Sequence, residues 1–155
     1  MGTTWILSAN SSRARLFEVE RHEDAPREIA DFANAAARAH ERDLRSDGTG
    51  RLYGKGERMQ GHSTVEGNVS DRETEHFAET LRNYLAHAHA EHRFGQLWIV
   101  AAPAFLGTLR QNLPKELQSA VEFTLDKDYT TEQPREIFAH TLAAREAHLR
   151  KTAQS

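Results

Sequence analysis

The most constraining feature of this sequence is an apolar run bounded by residues that break strands. Residues 97–101 read Leu-Trp-Ile-Val-Ala, which contains β-branched and aromatic side chains without a polar interruption. Gly95 precedes the run, and Pro103, which has no N–H to donate to a strand ladder, follows it. A short run of this kind is typical of a strand that is buried on both faces of a sheet.

A helical pattern follows this strand directly. Phe105, Leu106, Leu109 and Leu113 recur at the spacing of one face of an amphipathic helix. A buried strand that enters a helix through a tight turn is the first half of a βαβ unit. We therefore predict an α/β fold with residues 96–103 at its centre.

The remaining strands are predicted from shorter patterns. Residues 4–9 and 14–19 flank a turn of Asn and Ser residues, which predicts an N-terminal β-hairpin. Residues 28–32 are a candidate third strand, but their pattern of apolar and polar residues does not decide whether they form one. Apolar and polar residues alternate over residues 121–125, which indicates a strand near an edge of the sheet.

Three further helices are predicted from capping signals. Asn34 is a candidate N-cap for a helix to about Arg45, and Ser70 and Glu73 form a capping box before a long amphipathic helix. Gly95 is the expected end of that long helix. A last helix should start after residues 130–133. Together these elements predict a single-domain α/β sandwich over residues 1–155, with a mixed sheet, an N-terminal hairpin and helices packed on the sheet.

Composition excludes several kinds of site. The chain has 155 residues, which suits one domain, and a formal net charge of -3, which argues against wholesale binding to nucleic acid or anionic membranes. It has no cysteine, so disulfides, thiolate nucleophiles and zinc–cysteine sites are excluded. No signal-peptide pattern is present, and no stretch approaches the roughly 20 apolar residues of a membrane helix. We expect a cytoplasmic protein without membrane partners.

The segment of residues 48–69 is the strongest candidate for a binding function. It holds six of the nine glycines and few aliphatic side chains, which predicts a long mobile loop. Arg51, Lys55 and Arg58 could bind phosphates through charged side chains, supported by backbone N–H groups. The alternative is a solvated loop whose positive charges are offset by nearby acidic residues such as Asp47 and Glu57.

Two arginines outside this segment are further candidate binding residues. Arg13 belongs to the hairpin turn, and Arg110 follows the turn after the strand of residues 97–101, where backbone N–H groups of residues 104–106 could hold an anion. The alternative is a tight packing turn. Histidines at positions 87, 89 and 92 do not predict a metal site, because residues two apart on a helix point to opposite sides. We predict no metal and no cofactor.

A second group of residues supports a different function. Asp126 and Asp128 at a strand end, together with Asp47, could hold a divalent ion, as carboxylates do in polynucleotidyl-transferase folds. The alternative is ordinary turn chemistry before the last helix. These aspartates leave open the hypothesis of a small hydrolase of an ester or phosphoester bond.

Four stretches of the chain resemble one bacterial family. Residues 5–17, 43–51, 101–110 and 126–128 are similar to the host-attachment protein family, in the same order and over nearly the whole chain. The family also resembles, more distantly, the middle domain of archaeo-eukaryotic peptide release factors and pelota. That domain opens with a similar hairpin and carries a glycine-rich loop before a long helix.

The resemblance implies a role at RNA or the ribosome. In release factors the loop ends in Gly-Gly-Gln, which enters the peptidyl-transferase centre. Here Gln60 follows Met59, so the resemblance does not imply peptidyl-tRNA hydrolysis. The sequence therefore favours a non-catalytic accessory protein that binds structured RNA or the ribosome through Arg51, Lys55 and Arg58. No complete nucleophile–base set is visible, which is why we place the hydrolase second and expect no enzyme.

Overall fold

The computed structural model describes residues 2–22, 25–37, 39 and 69–154. Its elements, in chain order, are β1 (Thr4–Ala9), β2 (Arg13–Val19), β3 (Arg27–Ala33), α1 (Asp71–Ala90), β4 (Gln96–Ala101), α2 (Pro103–Asn112), α3 (Lys115–Ala120), β5 (Val121–Leu125) and α4 (Pro134–Gln154). Residues 35–37 and 39 are also helical. Among the described residues, no helix is both long enough and apolar enough to cross a membrane.

The five strands form one mixed sheet in the order β3-β2-β1-β4-β5. β1 pairs antiparallel with β2, and β2 with β3, whereas β1, β4 and β5 run parallel to one another. The predicted α/β class, mixed sheet and N-terminal hairpin are confirmed. The middle strand, however, is β1 and not β4, because the hairpin and β3 extend the sheet on one side only.

Helices cover both faces of the sheet. Trp5, Leu7 and Ile99 face α1, α2 and α3, whereas Ile6 and Trp98 face α4. Successive residues of a strand point to opposite faces, so a strand covered on both sides needs an unbroken apolar run. Residues 97–101 are all buried, as this run predicted.

Helix α1 begins as predicted but ends differently. The Ser70 hydroxyl accepts a hydrogen bond from the Glu73 N–H, and the Glu73 carboxylate accepts one from the Ser70 N–H, each at 3.1 Å. The predicted end at Gly95 is wrong. His92 takes the left-handed conformation with φ of 60°, and the Arg93 N–H donates to the Ala88 carbonyl oxygen at 3.0 Å. This bond closes the helix, whose last residue, Ala90, lies five positions before the glycine.

Other boundaries follow from capping and proline. The Asn34 side chain accepts a hydrogen bond from the Ala36 N–H at 3.0 Å, which confirms the predicted N-cap. Pro103 and Pro134 stand at the first positions of α2 and α4, where a missing N–H costs nothing. The rest of the helix predicted to about Arg45, and the predicted glycine-rich loop up to residue 68, lie outside the described residues.

Candidate functional site

The hairpin turn is held by a single asparagine. The Asn10 side-chain oxygen accepts hydrogen bonds from the N–H groups of Ser12 at 2.8 Å and Arg13 at 2.9 Å. The Asn10 N–H donates to the Arg13 carbonyl oxygen at 2.9 Å. Asparagine is suited to such turns because its side chain imitates a backbone turn. The turn between β1 and β2 is therefore rigid at its base.

The same asparagine ties the turn to the segment before α4. Its amide nitrogen donates to Asp128 at 2.9 Å and to the Thr130 hydroxyl at 3.2 Å. The other Asp128 oxygen accepts from the Thr130 N–H at 3.0 Å and from the Thr130 hydroxyl at 2.7 Å. Both carboxylate oxygens of Asp128 are thus engaged, with one bond from the backbone N–H of Thr130 and two from side chains. This is the turn chemistry that the sequence offered as the alternative to ion binding.

Arg15 on β2 joins the segment before α4 to the edge strand β3. Its guanidinium group makes two hydrogen bonds to Glu28 on β3, both at 2.9 Å. It also donates to the carbonyl oxygens of Thr130 at 2.9 Å and Glu132 at 2.7 Å. The residue is only 7% exposed, so these four bonds satisfy a buried charge.

The start of the helix at residues 35–37 is fixed to the hairpin turn. The Asn34 amide nitrogen donates to the Ser11 carbonyl oxygen, and the Asn34 N–H donates to the Ser12 carbonyl oxygen, both at 2.8 Å. We call these joined parts the hairpin corner; it comprises residues 10–13, Asn34, Asp128 and Thr130. It lies at the carboxyl end of β1, where open α/β sheets place their ligands.

Of the predicted binding residues, the two that the structure describes, Arg13 and Arg110, are not brought together. Arg13 on β2 makes a two-bond ion pair with Asp31 on β3, at 2.8 Å and 3.2 Å, and the hydrogen bond to Asp31 raises the pKa of Arg13. Arg110 donates to the Thr124 hydroxyl on β5. The two arginines therefore lie toward opposite edges of the sheet. Arg51, Lys55 and Arg58 lie outside the described residues, so their role stays a prediction.

The other predicted sites have similarly limited support. The Leu106 N–H donates to the Ala102 carbonyl oxygen at 2.8 Å, so one of the N–H groups proposed for an anion belongs to the helix ladder. Within the described residues, no group of three or more His, Cys, Asp or Glu side chains could hold a metal ion. Asp126 is exposed, and Asp47 lies outside the described residues. The hydrolase hypothesis stays a prediction.

A family model decides what kind of chain this is. The model, described as "Protein required for attachment to host cells", matches residues 5–141, which include β1 from Trp5 onward, the other four strands and the hairpin corner. The chain belongs to the host-attachment family. No curated protein matches it. The family description names a requirement in attachment and no chemical reaction.

Two buried tryptophans of this host-attachment protein carry partners that the sequence analysis did not anticipate. The indole N–H of Trp5 donates to Glu18 on β2 at 3.2 Å, and that of Trp98 donates to Glu122 on β5 at 2.8 Å. Burial alone would raise the pKa of each glutamate, but the hydrogen bonds from arginine and indole outweigh it and hold each pKa below its usual value. Arg27 forms the ion pair with Glu18, and Arg145 forms the one with Glu122.

Sequence reasoning also missed Arg15. The sequence does indicate that Arg15 is unusual, because it is a charged residue flanked by the apolar residues Ala14 and Leu16 in a predicted strand. A charge at such a position must either face solvent or find several partners. Its main-chain partners are more than 100 positions away, and no local pattern identifies them.

Proposed function

We propose that this host-attachment family protein is a non-catalytic binding protein that engages structured RNA or the ribosome through residues 48–69. The proposal places the contacts at Arg51, Lys55 and Arg58 and the protein in the cytoplasm. The ribosome is suggested by the resemblance to the middle domain of release factors, and the cations by the sequence. What the structure adds is the setting of this segment.

The observation that carries the proposal is the arrangement of the chain on either side of the segment. Before it, Asn34 caps a helical start and holds the hairpin turn. After it, the capping box of Ser70 and Glu73 starts α1. Phe32, at the end of β3, packs edge-on against Tyr84 of α1 with 5.1 Å between the ring centroids. Strand β3 before the segment and helix α1 after it therefore pack against each other.

A groove of about 350 Å³ lies between these flanks. It is lined by the end of β3, by residues 34–36 and by the first half of α1. Two fixed and adjacent flanks lower the entropy cost of presenting the segment between them. This is the arrangement expected of a binding segment carried on a rigid scaffold.

The described carboxylates favour binding over hydrolysis. Asp128 would have to give up three hydrogen bonds within the hairpin corner before it could coordinate an ion or act as a base. The two bonds to Thr130 are partly buried, so opening them costs stability. We therefore prefer the binding protein to the hydrolase.

The experiment measures retention of labelled ribosomal RNA on filters over a salt series. Contacts to phosphates release counterions, so loss of three contacts should make the slope of log affinity against log salt shallower by about two to three. The variant is Arg51→Ala, Lys55→Ala and Arg58→Ala combined. The matched control replaces the same number of exposed cations in the described part, namely Arg72, Lys115 and Arg135.

The outcomes separate the parts of the proposal. A shallower slope for the segment variant alone supports it. An unchanged slope removes these three residues from the role, and an equal change in the control shows only a general charge effect. No retention of RNA or of intact ribosomes at low salt overturns the proposal.

A further inference from the structure

The two edge strands of the sheet are protected to different degrees. Edge strand β3 carries Arg27, Glu28 and Asp31, each in an ion pair with a residue of β2. Its pairing with β2 also shifts register between Leu16 and Phe17. Charged side chains and irregular pairing are the devices by which edge strands avoid accepting a further strand.

Edge strand β5 lacks the charged side chains that keep β3 from accepting a further strand. Its residues Phe123, Thr124 and Leu125 pair in regular register with Trp98, Ile99 and Val100 after an irregularity at the start of the strand. Its one charged residue, Glu122, is turned inward, to the Trp98 indole and to Arg145. Among the described residues, no other strand pairs with its outer side. Within the described part of the chain, the backbone donors and acceptors on that side therefore pair with no strand.

A groove runs between this open strand and the second half of α4. Its volume is about 580 Å³. Phe123, Leu125 and Ala147 supply apolar surface, and His148, Arg150 and Lys151 stand on the α4 side. The described residues that line the groove include no carboxylate. A strand edge beside a helix, with cations on the helix, is a site that can take an extended segment of negative charge.

We propose that an acidic, extended segment of a partner protein docks in this groove and adds to β5 as a sixth strand. A peptide is the chemistry that fits, because its own backbone can pair with the strand edge while its side chains reach the apolar surface and the cations. An anionic lipid could meet the cations but would leave the strand edge unpaired. This inference does not depend on RNA binding.

A second copy of the chain fits the groove less well than an acidic partner. Pairing of β5 with its own twofold copy would bring the cationic ends of two α4 helices to the same edge. Residues 147–154 contain Arg150 and Lys151 and no acidic residue, so this approach is repulsive. Charge complementarity therefore selects an acidic partner.

The test uses the full chain and a short fluorescent peptide of alternating valine and aspartate. Fluorescence anisotropy at low salt measures its affinity, with an alternating valine–lysine peptide and an N-methylated valine–aspartate peptide as controls. We expect the acidic peptide to bind at least about tenfold more tightly than either control, because one lacks the charge match and the other lacks backbone donors. Bound peptide should slow amide exchange at residues 123–125.

Variants on α4 separate charge from shape. Arg150→Gln with Lys151→Gln should weaken binding by about tenfold, since two rim cations are removed. Ala147→Trp, at an exposed position, should block the groove without a change of charge. Arg72→Gln with Lys115→Gln removes two exposed cations elsewhere and should leave the affinity unchanged. Circular dichroism confirms that each variant is folded.

Several results would overturn the proposal. These are no binding of the acidic peptide at millimolar concentration, equal binding of the lysine peptide, or amide protection confined to other elements. Protection of residues 123–125 in the free protein that depends on protein concentration would assign the edge to a second copy instead. Unchanged affinity in both α4 variants would likewise remove the groove from the role.

Discussion

Replacement of Trp98 by alanine should be among the most destabilising changes in the chain. Trp98 lies on β4, is fully buried and stacks on Phe138 of α4 with 6.4 Å between ring centroids. The Arg145 guanidinium carbon lies 5.0 Å from the ring centroid, and the indole N–H bonds to Glu122. The side chain thus joins the sheet, its edge strand and α4.

The size of the loss follows from the buried area. A buried aromatic side chain removes about 150–250 Å² from water, which is worth about 4–6 kcal/mol at roughly 25 cal/mol per Å². Alanine retains the Cβ atom and the site relaxes in part, so we expect Trp98→Ala to lower the free energy of unfolding by about 3–5 kcal/mol. The loss of the indole donor to Glu122 adds to this, because Arg145 alone then remains to satisfy that carboxylate.

The assay is urea unfolding followed by far-ultraviolet circular dichroism, because tryptophan fluorescence changes with the mutation itself. Trp98→Phe keeps most of the packing and removes the N–H, so it should cost about 1–2 kcal/mol. Leu149→Ala, at a residue that is 44% exposed, should cost less than about 0.5 kcal/mol. A loss below about 1 kcal/mol for Trp98→Ala would refute the assignment of β4 to the core.

Two further predictions concern buried and partly buried charges. Arg15→Met removes all four hydrogen bonds of the guanidinium group, including the two that Glu28 accepts. The free energy of unfolding, measured in urea, should therefore fall by about 3 kcal/mol. A fall below about 1 kcal/mol would contradict the role of Arg15 as a connector. Because the pKa values of Glu18 and Glu122 are lowered in the folded state, their stabilisation is present above about pH 4.3, the usual glutamate value, and is lost as the pH falls through the folded-state values. Glu18→Gln with Glu122→Gln should therefore flatten the fall of stability in acid, and a slope equal to that of the wild type would refute this.

The parts of the fold that could be predicted are those set by near neighbours in sequence. The apolar run of β4, the Asn-containing hairpin turn and the capping box at Ser70 each depend on residues a few positions apart, and each is confirmed. The prediction that α1 ends at Gly95 is wrong because His92 adopts a conformation that glycine normally takes. Helix α3, with only Leu117 and Ala120 buried, is too short for a periodic pattern to reveal it.

The candidate site could be predicted only in part, for a physical reason. The sequence places Asn10 in a turn and offers turn chemistry for Asp128 as the alternative to ion binding, but the bond between them joins positions 118 apart, and nothing local predicts it. The positions of Arg13 and Arg110 could not be predicted either, because the residues around each arginine do not indicate toward which edge of the sheet it lies. Only the strand order shows that β2 carries one toward one edge of the sheet while α2 places the other against the opposite edge.

The different character of the two sheet edges has a common origin in the burial of tryptophan. Each buried indole N–H needs an acceptor, and each finds a glutamate on a neighbouring strand that in turn needs a cation. For Glu18 the cation is Arg27 of edge strand β3, so satisfying the tryptophan also places charge on that edge. For Glu122 the cation is Arg145 of α4, which draws the only charged residue of β5 inward. The element that supplies the arginine thus decides which of the two described edge strands carries an ion pair with its neighbouring strand.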